Sequence, residues 1–235
     1  MLIRWIGQGG YILKSQSTEI IIDPYLSDIV NKVANRPRLV PPPIMPREIR
    51  ADAVICTHNH LDHLDPDAIA EIDREKILFI APSDCVSHLK ELGCNHIHPL
   101  DEGQDIKIGD FRLTAVFADH SVPAIGLVVN CEGLTLYFSG DTLYNEKLEK
   151  IRFFNPDAMF ICINGKLGNM NVDEVVMLTK IINPRLAVPT HYGMFASNTE
   201  DPQKFVTRVN NGFEMEFNRE YKLFRQGEKI ICSAI

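Results

Sequence analysis

Three histidines and an aspartate fall within six positions, in Cys56-Thr57-His58-Asn59-His60-Leu61-Asp62-His63, at the end of the apolar run Ala53–Thr57. A strand alternates its side chains, and a turn at its end gathers residues two and five apart around one point. Neutral imidazole and carboxylate are the donors that suit zinc, iron or manganese. Three further residues of the same kind close apolar runs: His120 in Ala118-Asp119-His120-Ser121, Asp141 in Ser139-Gly140-Asp141-Thr142, and His191 in Pro189-Thr190-His191-Tyr192-Gly193. Each alone reads as a hydrogen-bonded residue or a turn. Together they place metal-ligand chemistry at four strand ends. Of the eight histidines only His88, His96 and His98 are left over, and these read as structural or solvated.

The elements that must position these residues come in two similar blocks. Leu2–Ile6, Tyr11–Lys14 and Glu19–Ile22 read as short strands, and Gly7-Gln8-Gly9-Gly10 reads as a tight turn because no helix follows it. Ala53–Thr57 and Ile77–Ala81 are apolar strands. They alternate with helices at Pro66–Asp73, with proline in its first turn, and at Ser83–Leu92, with Ser83 as N-cap and Gly93 past its end. Hairpins follow over Asp105–Ile108, Phe111–Ala118, Ile125–Asn130 and Leu134–Phe138. After them come helix Tyr144–Ile151, strand Ala158–Ile163, helix Val172–Ile182, strand Leu186–Pro189 and a helix near Pro202–Asn210. Gly212–Phe217, Tyr221–Phe224 and Lys229–Cys232 read as closing strands. Two β-rich blocks, each followed by a βα block, predict two packed sheets with helices outside, in one domain over 1–235.

One segment stands apart. Residues 27–50 carry Pro37, Pro41, Pro42, Pro43 and Pro46 together with Lys32, Arg36, Arg38, Arg47 and Arg50. It reads either as a surface insertion held extended by its prolines, or as a flap whose arginines meet an anionic substrate. The six cysteines show no C-x-x-C spacing, which disfavours a zinc ribbon or a redox pair. The formal charge of −7 argues against a nucleic-acid surface. No apolar run approaches a membrane span, and Met1–Gly10 lacks the pattern of a signal peptide, so a cytoplasmic home is expected.

The order H-x-H-x-D-H, then His120, Asp141 and His191, resembles the metallo-β-lactamase superfamily over nearly the whole chain. That resemblance implies an α/β (α+β) fold, a four-layer αβ/βα sandwich with the metal site at one edge of the two sheets. Carried over by position, it implies a first metal on His58, His60 and His120 and a second on Asp62, His63 and His191, with Asp141 between them. Two divalent ions about 3.5–4 Å apart share a hydroxide and polarise a substrate oxygen, and Asp62 is placed to orient that water. The best-known β-lactamases are secreted and carry cysteine where Asp141 stands, so antibiotic hydrolysis is not expected. Flavodiiron relatives carry Glu at the position of His60, and RNA-processing relatives carry an added domain or arm.

Within the superfamily, the chain resembles the group of L-ascorbate-6-phosphate lactonase. The resemblance lies in Trp5-Ile6-Gly7-Gln8-Gly9-Gly10, Ile22-Asp23-Pro24-Tyr25-Leu26-Ser27-Asp28, Ile163-Asn164-Gly165, Gly168-Asn169-Met170-Asn171 and Pro189-Thr190-His191-Tyr192-Gly193-Met194-Phe195. It implies manganese or zinc, a homo-oligomer, and hydrolysis of a small ester or lactone of a sugar-acid phosphate. The small UPF0173-type hydrolases share much of the pattern. A single-iron persulfide dioxygenase, a phosphodiester hydrolase of the same fold and a non-catalytic metal-binding protein are the alternatives. Around the metal residues, Asp23 is a candidate partner for a ligating histidine. Asn164, Lys166, Asn169 and Asn171, on a glycine-bearing loop after a strand, are candidates for substrate contact. Tyr192 is placed either to donate to a developing oxyanion or to cap the pocket.

Overall fold

Strand alternation sends neighbouring side chains to different cores. In Glu19–Ile22, Ile20 and Ile22 join one apolar cluster and Ile21 another; in Ala53–Ile55, Ala53 and Ile55 join the first and Val54 the second. Such runs, apolar on both faces, are what a sheet covered on both sides requires. The computed structural model describes residues 1–235.

The strands are β1 (Leu2–Gly7), β2 (Gly10–Lys14), β3 (Glu19–Ile22), β4 (Ala53–Ile55), β5 (Leu78–Ala81), β6 (Ile97–Pro99) and β7 (Asp105–Ile108). Then follow β8 (Phe111–Phe117), β9 (Ile125–Cys131), β10 (Leu134–Phe138), β11 (Ala158–Cys162), β12 (Leu186–Thr190), β13 (Glu220–Gln226) and β14 (Lys229–Ala234). They form an eight-stranded sheet in the order β14-β13-β1-β2-β3-β4-β5-β6 and a six-stranded sheet in the order β12-β11-β10-β9-β8-β7. The larger apolar cluster, 48 buried residues, draws on both sheets and is the shared core. It includes Trp5, Tyr11 and Leu13 from one sheet, and Leu127, Leu136 and Phe160 from the other.

The helices are α1 (Ile29–Ala34), α2 (Pro66–Glu71), α3 (Val86–Glu91), α4 (Val172–Ile182) and α5 (Gln203–Val206). Ala68 and Ile69 of α2 and Leu89 of α3 pack with Ile12, Ile21 and Val54 on the outer face of the eight-stranded sheet. Val172, Val175, Val176 and Ile182 of α4 pack into the larger cluster. The result is helices on two sheets on helices, the expected four layers.

Several local expectations are corrected. Residues 144–151 do not form an α-helix; Glu146–Phe154 is a 3-10 run capped by the Asn145 side chain on Lys147 N. Ser83 caps nothing, because its hydroxyl donates to Asp101 while Ser83–Cys85 form a 3-10 turn ahead of α3. Residues 212–217 keep a strand's alternating exposure, yet only Gly212 pairs, in a single bridge to Ala187. The proline-rich segment is not wholly extended: Ile29–Ala34 is helical and ends at Asn35 in the left-handed conformation, φ 53°. No helix is long and apolar enough to cross a membrane.

Candidate metal centre

Strand direction gathers the site. β3 and β4 run parallel, and β1 runs the same way through two antiparallel pairings. β10, β11 and β12 are parallel, and β8 shares their direction through β9. Gln8 follows β1, Asp23 follows β3 and His58 follows β4, while His120, Asp141 and His191 follow β8, β10 and β12. The bridge between His58 and Ala124 ties the two sheets together at this edge. Gln8, Asp23 and His191 leave their strands with φ of 49°, 44° and 62°, a left-handed conformation that costs non-glycine residues on the order of 1 kcal/mol each. Strain of this kind at one edge buys abrupt exits that turn side chains inward.

The seven residues read as metal ligands are all in contact. His60 Nδ1 lies 3.0 Å from His58 Nε2 and 3.1 Å from His120 Nε2. His63 Nε2 and His191 Nε2 are 3.3 Å apart. Asp62 Oδ2 is 3.6 Å from His191 Nε2 and 3.9 Å from His63 Nε2. The Asp141 carboxylate stands between these groups: Oδ1 is 3.1 Å from His191 Nε2 and 3.3 Å from His63 Nε2, and Oδ2 is 3.9 Å from His120 Nε2.

Hydrogen bonds behind the cluster orient its nitrogens. Asp23 Oδ2 lies 2.7 Å from His63 Nδ1, and both Asp23 oxygens accept from Thr57, from its backbone N and its hydroxyl, at 2.7 Å. The Thr57 hydroxyl, its proton directed to Asp23, accepts from His58 Nδ1 at 3.1 Å. His120 Nδ1 donates to the Gly168 carbonyl at 3.0 Å. Assigned from this network, the protons sit on the three Nδ1 atoms, which leaves bare lone pairs on Nε2 of His58 and His120 and turns Nε2 of His63 toward Asp141.

That donor set fits divalent metal ions. Three imidazole nitrogens of the first group converge with at most one shared proton among them. Asp141 Oδ1 is buried with only His191 and His63 Nε2 beside it and accepts no hydrogen bond of good geometry, an arrangement that a cation among these groups would complete. Burial, followed by the neighbouring His63, holds His58 well below the usual histidine range, and burial with His120 lowers His60. At His63 and His191 burial works the same way but loses to carboxylates. Asp141, Asp23 and Asp62 hold His63 well above its usual range, and Asp141 with Asp62 pushes His191 up to about 9. Asp141 and Asp62 are in turn held below the carboxylate range, against burial, by His63 and His191.

A cavity of about 480 Å³ opens onto the cluster, lined by His60, Asp62, Asp141 and His191. The residues expected to contact substrate do not reach it. Asn164 is buried behind the wall and donates to Asn198, which does line the cavity. Lys166 is exposed and points elsewhere, whereas its neighbours Leu167 and Gly168 form the wall. Asn171 is the N-cap of α4, its Oδ1 accepting from Asp173 N and Glu174 N while Glu174 Oε2 accepts from Asn171 N. Buried Asn169 is not in the lining either. Tyr192 also lies outside that lining: its ring packs on Trp5 at 4.8 Å and borders a separate cavity with Gly7 and Met215. His191 and Tyr192 are adjacent, and one points into the cluster while the other points into the core.

Sequence reasoning missed Gln8, whose Nε2 donates to Asp62 Oδ2 at 2.8 Å and lies 3.3 Å from His191 Nε2. It also missed Thr57. The signal for Thr57 was adjacency to His58 at a strand end already credited with chemistry; Gln8, in a stretch read as a tight turn, carried none. The leftover histidines stand outside the cluster, His88 contacting Asn59 Oδ1 at 2.7 Å and His96 and His98 exposed.

Comparison with known proteins gives matches over most of the chain. The family profile described as Beta-lactamase superfamily domain matches residues 18–192. A UPF0173 metal-dependent hydrolase of Archaeoglobus fulgidus is 28% identical over 235 residues, covering 92% of this chain and 94% of that one. Another from Methanosarcina mazei is 27% identical and covers 97% of each chain. Among solved structures, a metallo hydrolase of Ignicoccus hospitalis superposes with a TM-score of 0.77 at 21% identity, covering 93% of this chain and 96% of that one.

Proposed function

The chain belongs to the β-lactamase superfamily, and we propose that it is a metal-dependent hydrolase that opens a small ester or lactone, in the finer reading the lactone of a sugar-acid phosphate. The observation that carries the hydrolase reading is Asp141, whose two oxygens face two groups of nitrogen donors at the floor of a cavity. His58, His60 and His120 would hold one divalent ion, manganese or zinc, and Asp62, His63 and His191 a second, with Asp141 shared; such ions polarise a carbonyl and lower the pKa of an attacking water.

The chain's own groups do the rest. Asp62 lines the cavity, and with Oδ2 taken by Gln8 its Oδ1 is the acceptor that orients the water. Gln8 holds that carboxylate in place. Asp23 and Thr57 keep His63 and His58 in the tautomers that direct Nε2 inward. Leu61, Leu167 and Phe195 give the cavity its apolar wall. The lactone reading is supported by resemblance in the segments 5–10, 22–28 and 163–165. The single-iron oxidoreductase reading uses one nitrogen group and leaves Asp62, His63 and His191 without a role. We propose as well a single domain over 1–235, supported by the core shared between the sheets, a homo-oligomeric assembly and a cytoplasmic location.

The test is hydrolysis of L-ascorbate 6-phosphate by protein loaded with manganese and, separately, with zinc, beside the His58→Ala, His60→Ala double variant. Metal-dependent turnover lost in the variant supports the full reading. Two bound metals with no turnover on this compound, but turnover on simpler esters or lactones, would keep the hydrolase and discard the sugar-acid substrate.

A further inference from the structure

The proline-rich segment contributes Val30 and Arg36 to the wall of the cavity, and its chemistry is lopsided. Of the five basic residues between 27 and 50, four are engaged or turned away. Lys32 pairs with Asp67 at 2.5 Å on the surface. Arg38 donates to the carbonyls of Tyr25, Ser27 and Val40, with its guanidinium 4.4 Å over the Tyr25 ring. Arg50 donates to the carbonyls of Arg47 and Ile49, and Arg47 is exposed. Arg36 alone lines the cavity, together with Asp62, Asp141 and His191. It is half-buried and makes no hydrogen bond or ion pair.

The backbone holds Arg36 in place from both sides. Asn35 ends α1 in the left-handed conformation, and Pro37 confines the residue before it to an extended conformation. Arg38 is fastened as described, and Leu39 N donates to Met194 O at 2.8 Å. An arginine so constrained, facing a cavity with no carboxylate of its own within ion-pair distance, presents its forked donors to something that arrives from solvent. The wall beside it is apolar: Val30, Leu61, Leu167 and Phe195.

We infer that Arg36 binds the anionic group, a carboxylate or a phosphate, of a substrate whose carbonyl reacts at the histidine–aspartate cluster, with Val30, Leu61, Leu167 and Phe195 packing the part between. This rests on the hydrolase reading for the reaction, but not for the binding. Arg36 is therefore a specificity residue. It discriminates by charge at the end of the substrate remote from the bond that breaks, which lowers KM for anionic substrates more than it alters kcat.

Two measurements test it, on wild-type protein, Arg36→Met and Arg36→Lys, each checked for an unchanged circular dichroism spectrum. The first is calorimetric binding of glutarate to protein freed of metal. Wild-type protein is expected to bind glutarate about tenfold more tightly than Arg36→Met, with Arg36→Lys between them. The second is hydrolysis of 4-nitrophenyl hydrogen glutarate against its neutral methyl ester by the metal-loaded protein. The ratio of kcat/KM, anionic over neutral, is expected to fall about tenfold in Arg36→Met, chiefly through KM. If neither ester is hydrolysed but glutarate binding depends on Arg36, the anion site stands and the hydrolase reading fails. Equal glutarate affinities in wild type and Arg36→Met, or no binding by the wild type, would overturn the inference whatever the activity.

Discussion

The Asp23 carboxylate lies 2.7 Å from Nδ1 of His63, and both side chains are closed to solvent. Because Asp23 also accepts from Thr57, whose hydroxyl meets His58 Nδ1, one carboxylate sets the orientation of a histidine in each nitrogen group. Asp23→Ala is expected to leave all seven donors in the chain yet weaken metal binding about 10–100-fold. Competition with a chromogenic chelator measures it. Unchanged affinity would mean that packing alone orients His63.

Gly168 performs the same service for His120 through its carbonyl, and it has no room for more. Its φ is 89°, and a Cβ there would stand 2.9 Å from His120 Cε1. Gly168→Ala is expected to displace the imidazole and lower metal occupancy at the His58–His60–His120 group. The fold should remain, since the residue lies in a loop. Metal content by mass spectrometry after gel filtration, read beside the far-ultraviolet circular dichroism spectrum, separates the two effects.

Metal removal should destabilise the protein as well as silence it. Without a cation, the bare lone pairs of His58 and His120 stay unsatisfied, and Asp141 Oδ1 accepts no hydrogen bond of good geometry. Binding to the folded state alone adds about 2.7 kcal/mol at a free metal concentration one hundred times the dissociation constant. Exhaustive dialysis against a chelator is expected to lower the melting temperature and abolish hydrolysis, both restored by manganese or zinc. In His60→Ala the melting shift on adding metal should shrink.

How much of this was readable in advance differs by residue. His58, His60, Asp62, His63, His120, Asp141 and His191 were legible because ligand-type residues closing apolar strands have few other reasons to recur. Asp23 was legible for the same reason, as an aspartate following Glu19–Ile22. Gln8 and Gly168 were not, because their roles exist only once strand ends from both sheets meet; nothing local marks an amide or a carbonyl as the partner of a distant histidine. The helix Ile29–Ala34 was hidden by the prolines that follow it. Residues 212–217 misled because their alternation, with Met215 buried between exposed Glu214 and Glu216, reports one-sided burial, which an extended segment achieves without a ladder.

Away from the metal centre, Asp157 is a buried carboxylate held by two arginines and a backbone amide. It is fully buried, accepting from Arg185 and Arg225 at 3.0 and 2.7 Å and from Thr135 N at 2.9 Å. It joins β13 to the loop ahead of β11. Both arginines are partly exposed, so the ion pairs are screened and the loss falls mainly on the orphaned amide. Asp157→Ala is expected to cost about 1–3 kcal/mol, measured as a lower urea midpoint, with metal content and activity per folded molecule unchanged. An unaltered midpoint would show that water replaces the carboxylate.

Tyr192 offers the sharpest contrast between position in the chain and position in space. Adjacent to His191, it reads from the sequence as an oxyanion donor or a cap on the pocket. The left-handed turn at His191, φ 62°, sends the imidazole to the cluster and the phenol into the core. There its ring meets Trp5 and its hydroxyl is buried with no hydrogen-bond partner. A hydroxyl stripped of water and given nothing in exchange is a cost to folding rather than an aid to catalysis. Tyr192→Phe is therefore expected to keep kcat/KM within about twofold of wild type and to leave stability unchanged or higher by about 1 kcal/mol. Steady-state kinetics and a urea titration on the same preparation check both. A hundredfold loss of kcat with the fold intact would bring the hydroxyl back to the reacting atoms, and would require a rearrangement of residues 191–195 when substrate binds.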